Sequence, residues 1–260
     1  QWWVTNLVNY TGRNTGQFAD GLGVLSQPND GDLGEDVNFT GLPLLWWEQP
    51  LPSGLIWRIG KLGLTELAGT NRYAHDGRAD YLNSVLVKES TAGYTVADGG
   101  LGINLELRRE RWSLSATFAD ASADDDWVDF SSPVDGDWQA IGEAALTPSI
   151  NRLGAGNYRL TLSQIDAIEV AEHDTRSGWG IGFSADQELG EDYALMLRWS
   201  RAVRRMTDFR QVFAAGFLFT RPFGWDDDTL GLAAWRASPE PNLDPPPDAA
   251  PYRTEYGLEA

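Results

Sequence analysis

Along most of this chain apolar and polar residues alternate with a period of two. In Leu101-Gly102-Ile103-Asn104-Leu105-Glu106-Leu107-Arg108, aliphatics at 101, 103, 105 and 107 oppose Asn104, Glu106 and Arg108. Tyr252-Arg253-Thr254-Glu255-Tyr256-Gly257-Leu258-Glu259 repeats the arrangement, with Tyr252, Tyr256 and Leu258 opposite Arg253, Glu255 and Glu259. Period-two alternation specifies a β-strand with two differently solvated faces. It does not say which face is wet. In a soluble sandwich the apolar face meets a core, whereas in a membrane barrel it meets lipid and the charged face lines a wet lumen.

The pattern predicts strands at roughly 2–11, 17–27, 37–50, 54–63, 93–109, 111–121, 137–147, 157–167, 178–188, 192–203, 210–221, 229–238 and 251–260. Most are about ten residues long, the length that crosses a bilayer at a tilt, whereas soluble strands average nearer five or six. Short connections at 108–111 and 189–192 alternate with longer ones at 122–136, 203–210 and 238–251. Such alternation is expected of an up-and-down barrel with one plain and one elaborated end. The one stretch that reads as a short helix is 166–172. The longest segment without strand pattern, 64–91, carries Arg72, Tyr73, His75, Asp76, Arg78, Asp80 and Tyr81. A loop of that length inside a compact domain is usually functional or disordered. In a barrel it can fold inward and narrow the pore; the plainer alternative is a surface loop.

Composition narrows the choice. The net charge is −18, with two lysines (Lys61, Lys88) among twenty basic residues, so nucleic acid is not an expected partner. Cysteine is absent, which removes disulfides, thiolate metal sites and thiol nucleophiles. No apolar run reaches the eighteen residues of a membrane helix, a fact with no bearing on strands. Gln1-Trp2-Trp3 does not open a signal peptide, so the chain is expected to be a mature protein or a piece of one. The twelve tryptophans and eight tyrosines suit a membrane interface and equally suit stacking on sugars. Trp112, Leu114, Ala116 and Phe118, then Trp179, Ile181 and Phe183, then Tyr193, Leu195, Leu197 and Trp199, form repeated apolar faces that fit a lipid belt or a sandwich core.

From Leu44-Leu45-Trp46-Trp47-Glu48-Gln49 and Leu55-Ile56-Trp57-Arg58-Ile59-Gly60-Lys61-Leu62 onward, the chain resembles the carbohydrate-selective porins of the OprB family. An aromatic-Glu-Gln strand precedes an Arg-x-Gly-Lys-Leu strand in both. Ala144-Ala145-Leu146-Thr147-Pro148, Gly156-Asn157-Tyr158-Arg159-Leu160, Ala185-Asp186-Gln187, Arg221-Pro222 through Asp228-Thr229-Leu230-Gly231-Leu232, and the strand at 252–259 follow in the family's order. The family's Phe- and Asn-rich segment is faint here, at Asn71-Arg72-Tyr73 and Tyr81-Leu82-Asn83. The resemblance implies an all-β, antiparallel transmembrane barrel of about sixteen strands. About a dozen fall in residues 1–260, a single barrel domain expected to lack its first and last strands. It also implies a porin of the bacterial outer membrane that passes small sugars by passive diffusion, without catalysis or cofactor. Its expected partners are outer-membrane lipid and small carbohydrates, together with a homotrimeric or larger envelope assembly.

On this reading Arg58, Glu106, Arg108, Glu143, Arg159, Asp186, Arg198, Arg253, Glu255 and Glu259 line the pore. Residues 64–91 place Arg72, His75, Asp76, Arg78 and Asp80 at a constriction. Arginine suits such a lining because its planar fork donates several hydrogen bonds in fixed geometry. Without the resemblance, the same charges read as a solvated strand surface. Of Trp46, Trp47 and Trp57, one of each adjacent pair is expected to face inward. Asp124-Asp125-Asp126 and Asp226-Asp227-Asp228 lack the spacing of a calcium loop and read as solvated acids. His75 and His173 have no evident catalytic partner, and Gly21-Leu22-Gly23 and Gly99-Gly100 are not phosphate loops. Two other functions stay open: a soluble carbohydrate-binding β-sandwich, and a structural barrel within a larger envelope complex.

Overall fold

The computed structural model describes residues 2–4, 8–10, 39–41, 44–75, 80–81, 83, 85–87, 100–121, 138–171, 174–203, 209–222, 228–241 and 251–260. The first strands are β1 (Trp2–Val4), β2 (Val8–Tyr10), β3 (Phe39–Gly41), β4 (Leu45–Pro50) and β5 (Leu55–Leu62), followed by the single turn of helix α1 (Leu64–Leu67). Next come β6 (Gly100–Arg108), β7 (Trp112–Asp120), β8 (Trp138–Leu146) and the two-residue β9 (Ser149–Ile150). The last six are β10 (Gly154–Ala171), β11 (Asp174–Glu188), β12 (Tyr193–Val203), β13 (Phe209–Thr220), β14 (Thr229–Pro239) and β15 (Glu255–Glu259).

All but β2 and β3 belong to one antiparallel sheet ordered β1-β4-β5-β6-β7-β8-β10-β11-β12-β13-β14-β15, with β9 attached to β10 beside that path. From β4 onward the sheet is an up-and-down meander. Chain neighbours pair because tight turns join them, as where Gly54, at φ 74°, donates its N–H to the Leu51 carbonyl and its own carbonyl accepts from Arg108. An added Cβ at Gly54 would lie 2.6 Å from the Arg108 carbonyl oxygen, so this corner requires glycine. Connections alternate between the two ends of the strands: 51–54, 109–111, 147–153, 189–192 and 221–228 at one, and 63–99, 121–137, 172–173, 204–208 and 240–254, which include the three longest, at the other.

Four expectations need correction, the first being the strand expected over 2–11, which is two strands, β1 and β2, in different sheets. The strand expected over 37–50 is two strands in different sheets, β3 pairing with β2 and β4 pairing with both β1 and β5. Pro43, between them in sequence, cannot donate a ladder hydrogen bond, which favours the break. The meander therefore does not extend to the first strands, since β1 skips β2 and β3 to pair with β4. The helix expected over 166–172 is instead the end of β10, which continues to Ala171. A bulge, with Ile165 opposite Gly178 and Ile168 opposite Arg176, puts one extra residue in β10 and breaks the period-two pattern while the ladder continues. The strand expected at 17–27 lies outside the described residues.

The register carries one row of positions across many strands: Glu106, Ser115, Glu143, Thr161, Gly182 and Ser200 are successive partners from β6 to β12. Glu106, Glu143, Thr161 and Ser200 on this row are buried, as are Asn104, Thr117, Ser184, Asp186 and Arg198 on the same face. The opposite face exposes Leu105 (45%), Phe118 (52%), Leu162 (53%), Phe217 (44%) and Leu258 (79%). Polar-in, apolar-out is the reverse of a soluble sandwich and the pattern of strands immersed in lipid. The outward face also carries the aromatic cluster of Tyr193, Phe217 and Phe219 near the short turns, with ring centroids 5.2–5.5 Å apart.

This polarity makes two substitutions on adjacent strands unequal. Leu105→Arg on the exposed apolar face should cost about 2–4 kcal/mol in a bilayer, whereas Ser115→Arg on the polar face should change stability by less than about 1 kcal/mol. Urea unfolding from phospholipid vesicles measures both, and equal costs would contradict the assignment of faces.

Candidate functional site

The polar face gathers its charges into two clusters. In the first, on β4–β7, the Arg58 guanidinium donates to Glu48 at 2.8 Å, Asn104 at 2.7 Å and Glu106 at 3.0 Å. Arg108 donates to the same Glu106 carboxylate at 2.7 and 3.0 Å, and the Asn104 amide donates to the Thr117 hydroxyl at 2.8 Å. Glu106 is thus held by two guanidinium groups, which offsets the desolvation that burial imposes.

The second cluster spans β8, β10 and β11. Arg159 donates to Glu143 at 2.5 Å and to Asn157 at 3.0 Å. Asn157 in turn donates to Asp186 at 2.9 Å, and Thr161 donates to Glu143 at 3.0 Å. The 64–91 segment closes this network: the Gly69 N–H donates to Glu143 at 2.6 Å, and Arg72 donates to Asp186 at 2.5 Å and Glu188 at 2.7 Å. Burial works against the Arg72 charge, but its bond to Asp186 and the nearby negative charge hold its pKa above the ordinary value.

The same segment then crosses to β12–β15. Arg198 donates to the Ala74 carbonyl, and the Asn83 N–H donates to Glu259 at 2.9 Å. Tyr81, Leu86 and Val87 pack with Ala74 against Ala194, Met196, Ala214, Leu218 and Ala233. Val85 packs with Ile165, Ala202, Phe209, Val212 and Ala237. At the segment's start, Leu64 and Ala68 pack with Leu62 on Ala119 and Ile141, with Trp46 alongside. One face of the sheet from β7 to β15 therefore touches one segment, so the sheet curls around it. Burying Val85 and Leu86 contributes about 1.5–3 kcal/mol each, more than the typical net value of a single hydrogen bond, so apolar contact dominates on this side.

The expected site residues fall as follows. Arg58, Glu106 and Arg108 share the first cluster, and Glu143, Arg159, Asp186 and Arg72 the second. Arg198 and Glu259 hold the inward segment, and Glu255 pairs with Ala237 at the start of β15. Arg253 precedes β15 and is exposed. His75 lies 3.4 Å from Glu66 through its ring and donates its backbone N–H to Asp80 at 2.8 Å. Asp76 and Arg78 lie outside the described residues, as do Asp124-Asp125-Asp126 and His173. Trp46 is the inward member of its pair, and Trp57 pairs with Leu105 on the outward side.

Sequence reasoning did not assign Asn157, Thr161, Tyr81, Gly216 or Gly231 to the site. Tyr81 is seated over Gly216 and Gly231, where an added Cβ would approach its hydroxyl oxygen to 3.2 and 2.5 Å. Glycine inside a strand marks close approach of another group, so the signal was present. Burial, then Glu259 and Asp80, push the Tyr81 phenol up to about 12.

A phenol with a higher pKa when seated favours seating fully below about pH 10 and loses that preference as pH rises towards 12. The difference between alkaline ultraviolet titrations of the wild type and Tyr81→Phe should isolate one phenol titrating near 12. Titration near 10, the ordinary value, would show an unseated ring.

Two comparisons, with family models and with curated proteins, give no match. The fold is similar to that of Pseudomonas putida OprB in its high-pH structure, with a TM-score of 0.64 at 13% identity. The match covers 84% of this chain and 58% of that one, so this chain spans little more than half of the protein it resembles. At that identity the likeness concerns the fold, and the fold is an antiparallel, up-and-down, porin-like sheet.

Proposed function

We propose that this chain forms the wall and the constriction of a bacterial outer-membrane porin that passes small polar solutes, chiefly small carbohydrates, by passive diffusion. The observation that carries the reading is the polar inner face wrapped around the 64–91 segment, beneath an outer face of exposed Leu, Phe and Tyr. An apolar exterior suits lipid, and the end with longer connections is assigned to the outside of the cell. No bond is made or broken in such a channel.

The preference for sugars rests on the chemistry of the lining. Arg58 and Arg108 are neutralised by Glu48 and Glu106, and Arg159 by Glu143, so neither sign of free ion is strongly favoured. Guanidinium donors beside carboxylate, amide and hydroxyl acceptors suit the alternating donors and acceptors of a polyol. Individual contacts must stay weak and exchangeable for the solute to leave. A structural barrel is the second reading, favoured by how tightly the segment fills the space beside Arg198 and Asp186, each 1% exposed.

The test is planar-bilayer conductance of the full-length protein, with liposome swelling in sugars of increasing size. The wild type should conduct, and Arg72→Ala should raise single-channel conductance and the sugar size limit. That substitution removes the guanidinium partner of the buried Asp186, a loss of about 1–3 kcal/mol for the docked segment. A wild type with no conductance would favour the structural barrel, and unchanged permeation in Arg72→Ala would place the constriction elsewhere.

A further inference from the structure

The apolar outer face of β12–β14 ends in arginine. On β12 the outward series Tyr193, Leu195, Leu197 and Trp199 is followed by exposed Arg201, and on β14 Leu230, Leu232 and Ala234 are followed by exposed Arg236. On β13 a register shift between Phe209 and Gln211 sets two residues, Arg210 and Gln211, between buried Phe209 and Val212, and Arg210 is exposed. Arg201 pairs with Gln211, Gln211 with Ser238, and Ser238 lies two residues from Arg236. From strand spacing and rise, the Arg201 and Arg236 backbones are roughly 12 Å apart, a span that two long side chains bridge around one anion.

Among the described residues no carboxylate pairs with these three guanidinium groups. Arg236 lies over the Tyr256 ring, 5.9 Å from its centroid, and Tyr256 is itself exposed. Uncompensated arginines on an apolar wall are costly towards the bilayer middle and tolerated at its edge. From Tyr193 to Arg201 the strand climbs roughly 20 Å after allowing for tilt, which places the cluster near the rim of a 25 Å apolar band.

Directly beneath lies a groove of about 470 Å³. Ala215 and Ala234, cross-strand partners, form its floor, and Leu195, Phe217, Leu232 and Leu258 stand around it. Ala234 is two residues from Arg236 on the same strand, so the groove continues from the cationic cluster. Small residues alone would mark only a dent; the cations above give it a matching head.

We propose that this face holds an anionic, phosphate-bearing membrane lipid, with its phosphate on Arg201, Arg210 and Arg236 and one acyl chain over Ala215 and Ala234. The proposal rests on the lipid-facing reading of the apolar wall and adds a charge-selective site to it. Charge complementarity favours the lipid: a phosphate above a hydrocarbon chain reproduces the order of cations above an apolar groove. Arginine also grips phosphate through two parallel hydrogen bonds.

The test uses the full-length protein in maltoside micelles doped with phosphatidic acid or phosphatidylcholine carrying brominated acyl chains, read by tryptophan quenching. Trp199 is two residues from Arg201 and reports on the site. Phosphatidic acid should quench at a concentration roughly a hundredfold below phosphatidylcholine, and Arg201→Gln with Arg236→Gln should cut that difference to about fivefold, at about fivefold per guanidinium. Replacement of both arginines by lysine should keep most of the preference, and millimolar inorganic phosphate should not compete. Equal quenching by the two lipids in the wild type would overturn the proposal. Displacement by inorganic phosphate would overturn it in favour of a free-anion site. A protein-concentration-dependent dimer that excludes both lipids would overturn it in favour of a second copy on this face. Complete absence of quenching by either lipid, without dimerisation, would instead sink the lipid-facing reading itself.

Discussion

A carboxylate taken out of water must meet a cation or several hydrogen-bond donors, and the interior of this sheet is organised by that requirement. Glu106 sits between Arg58 and Arg108, Glu143 accepts from Arg159, Thr161 and Gly69, and Asp186 accepts from Arg72 and Asn157. Each buried acid is satisfied across strands or from the inward segment, so these bonds fix register as well as charge. A one-residue slip of β6 against β5 would turn Glu106 towards the apolar exterior and leave Arg58 without it.

The inward segment uses the two halves of the interior differently. Against β8–β11 it is held by charge, through Gly69 and Arg72. Against β12–β14 it is held chiefly by apolar contact, with Tyr81 lodged over Gly216 and Gly231 and Val85 over Val212 and Ala237, beside the single bond from Arg198 to the Ala74 carbonyl. The half-exposed Arg72–Glu188 pair weakens with salt, the Arg72–Asp186 pair with its buried carboxylate less so, and apolar contacts do not, so the two attachments respond to different conditions. The proposed channel then owes its narrowness to a segment with one attachment sensitive to electrostatics and another insensitive to it.

Much of the fold was legible because period-two alternation is a local signal. Strands β5, β7, β8, β12, β13 and β14 fall close to where the pattern sets them, and the pairing of sequence neighbours follows from the tight turns. The errors arose where the local signal was interrupted, as when a bulge between Ile165 and Ile168 broke the period-two pattern. The two faces were legible too, as with Glu106 inward and Leu105 outward, but alternation alone left open which of them was wet. Burial sets Arg198 at 1% exposure on one face and Leu258 at 79% on the other, an order opposite to that of a soluble sandwich. Gly216 and Gly231 signal a close approach within β13 and β14, but that Tyr81 makes it follows only from the fold.

The central claim is that the apolar face of this sheet meets lipid while the polar face turns to an interior that stays open to water along β7, where Ser113 and Ser115 are half-buried. The absence of native cysteine permits a direct test by single-cysteine spin labelling along β7 in vesicles. Labels at Leu114, Ala116 and Phe118 should be relaxed by lipid-soluble oxygen, and labels at Ser113 and Ser115 by a water-soluble nickel chelate, alternating residue by residue. Labels at 114, 116 and 118 shielded from both reagents, as in a packed sandwich core, or alternation of the opposite phase, would contradict the account.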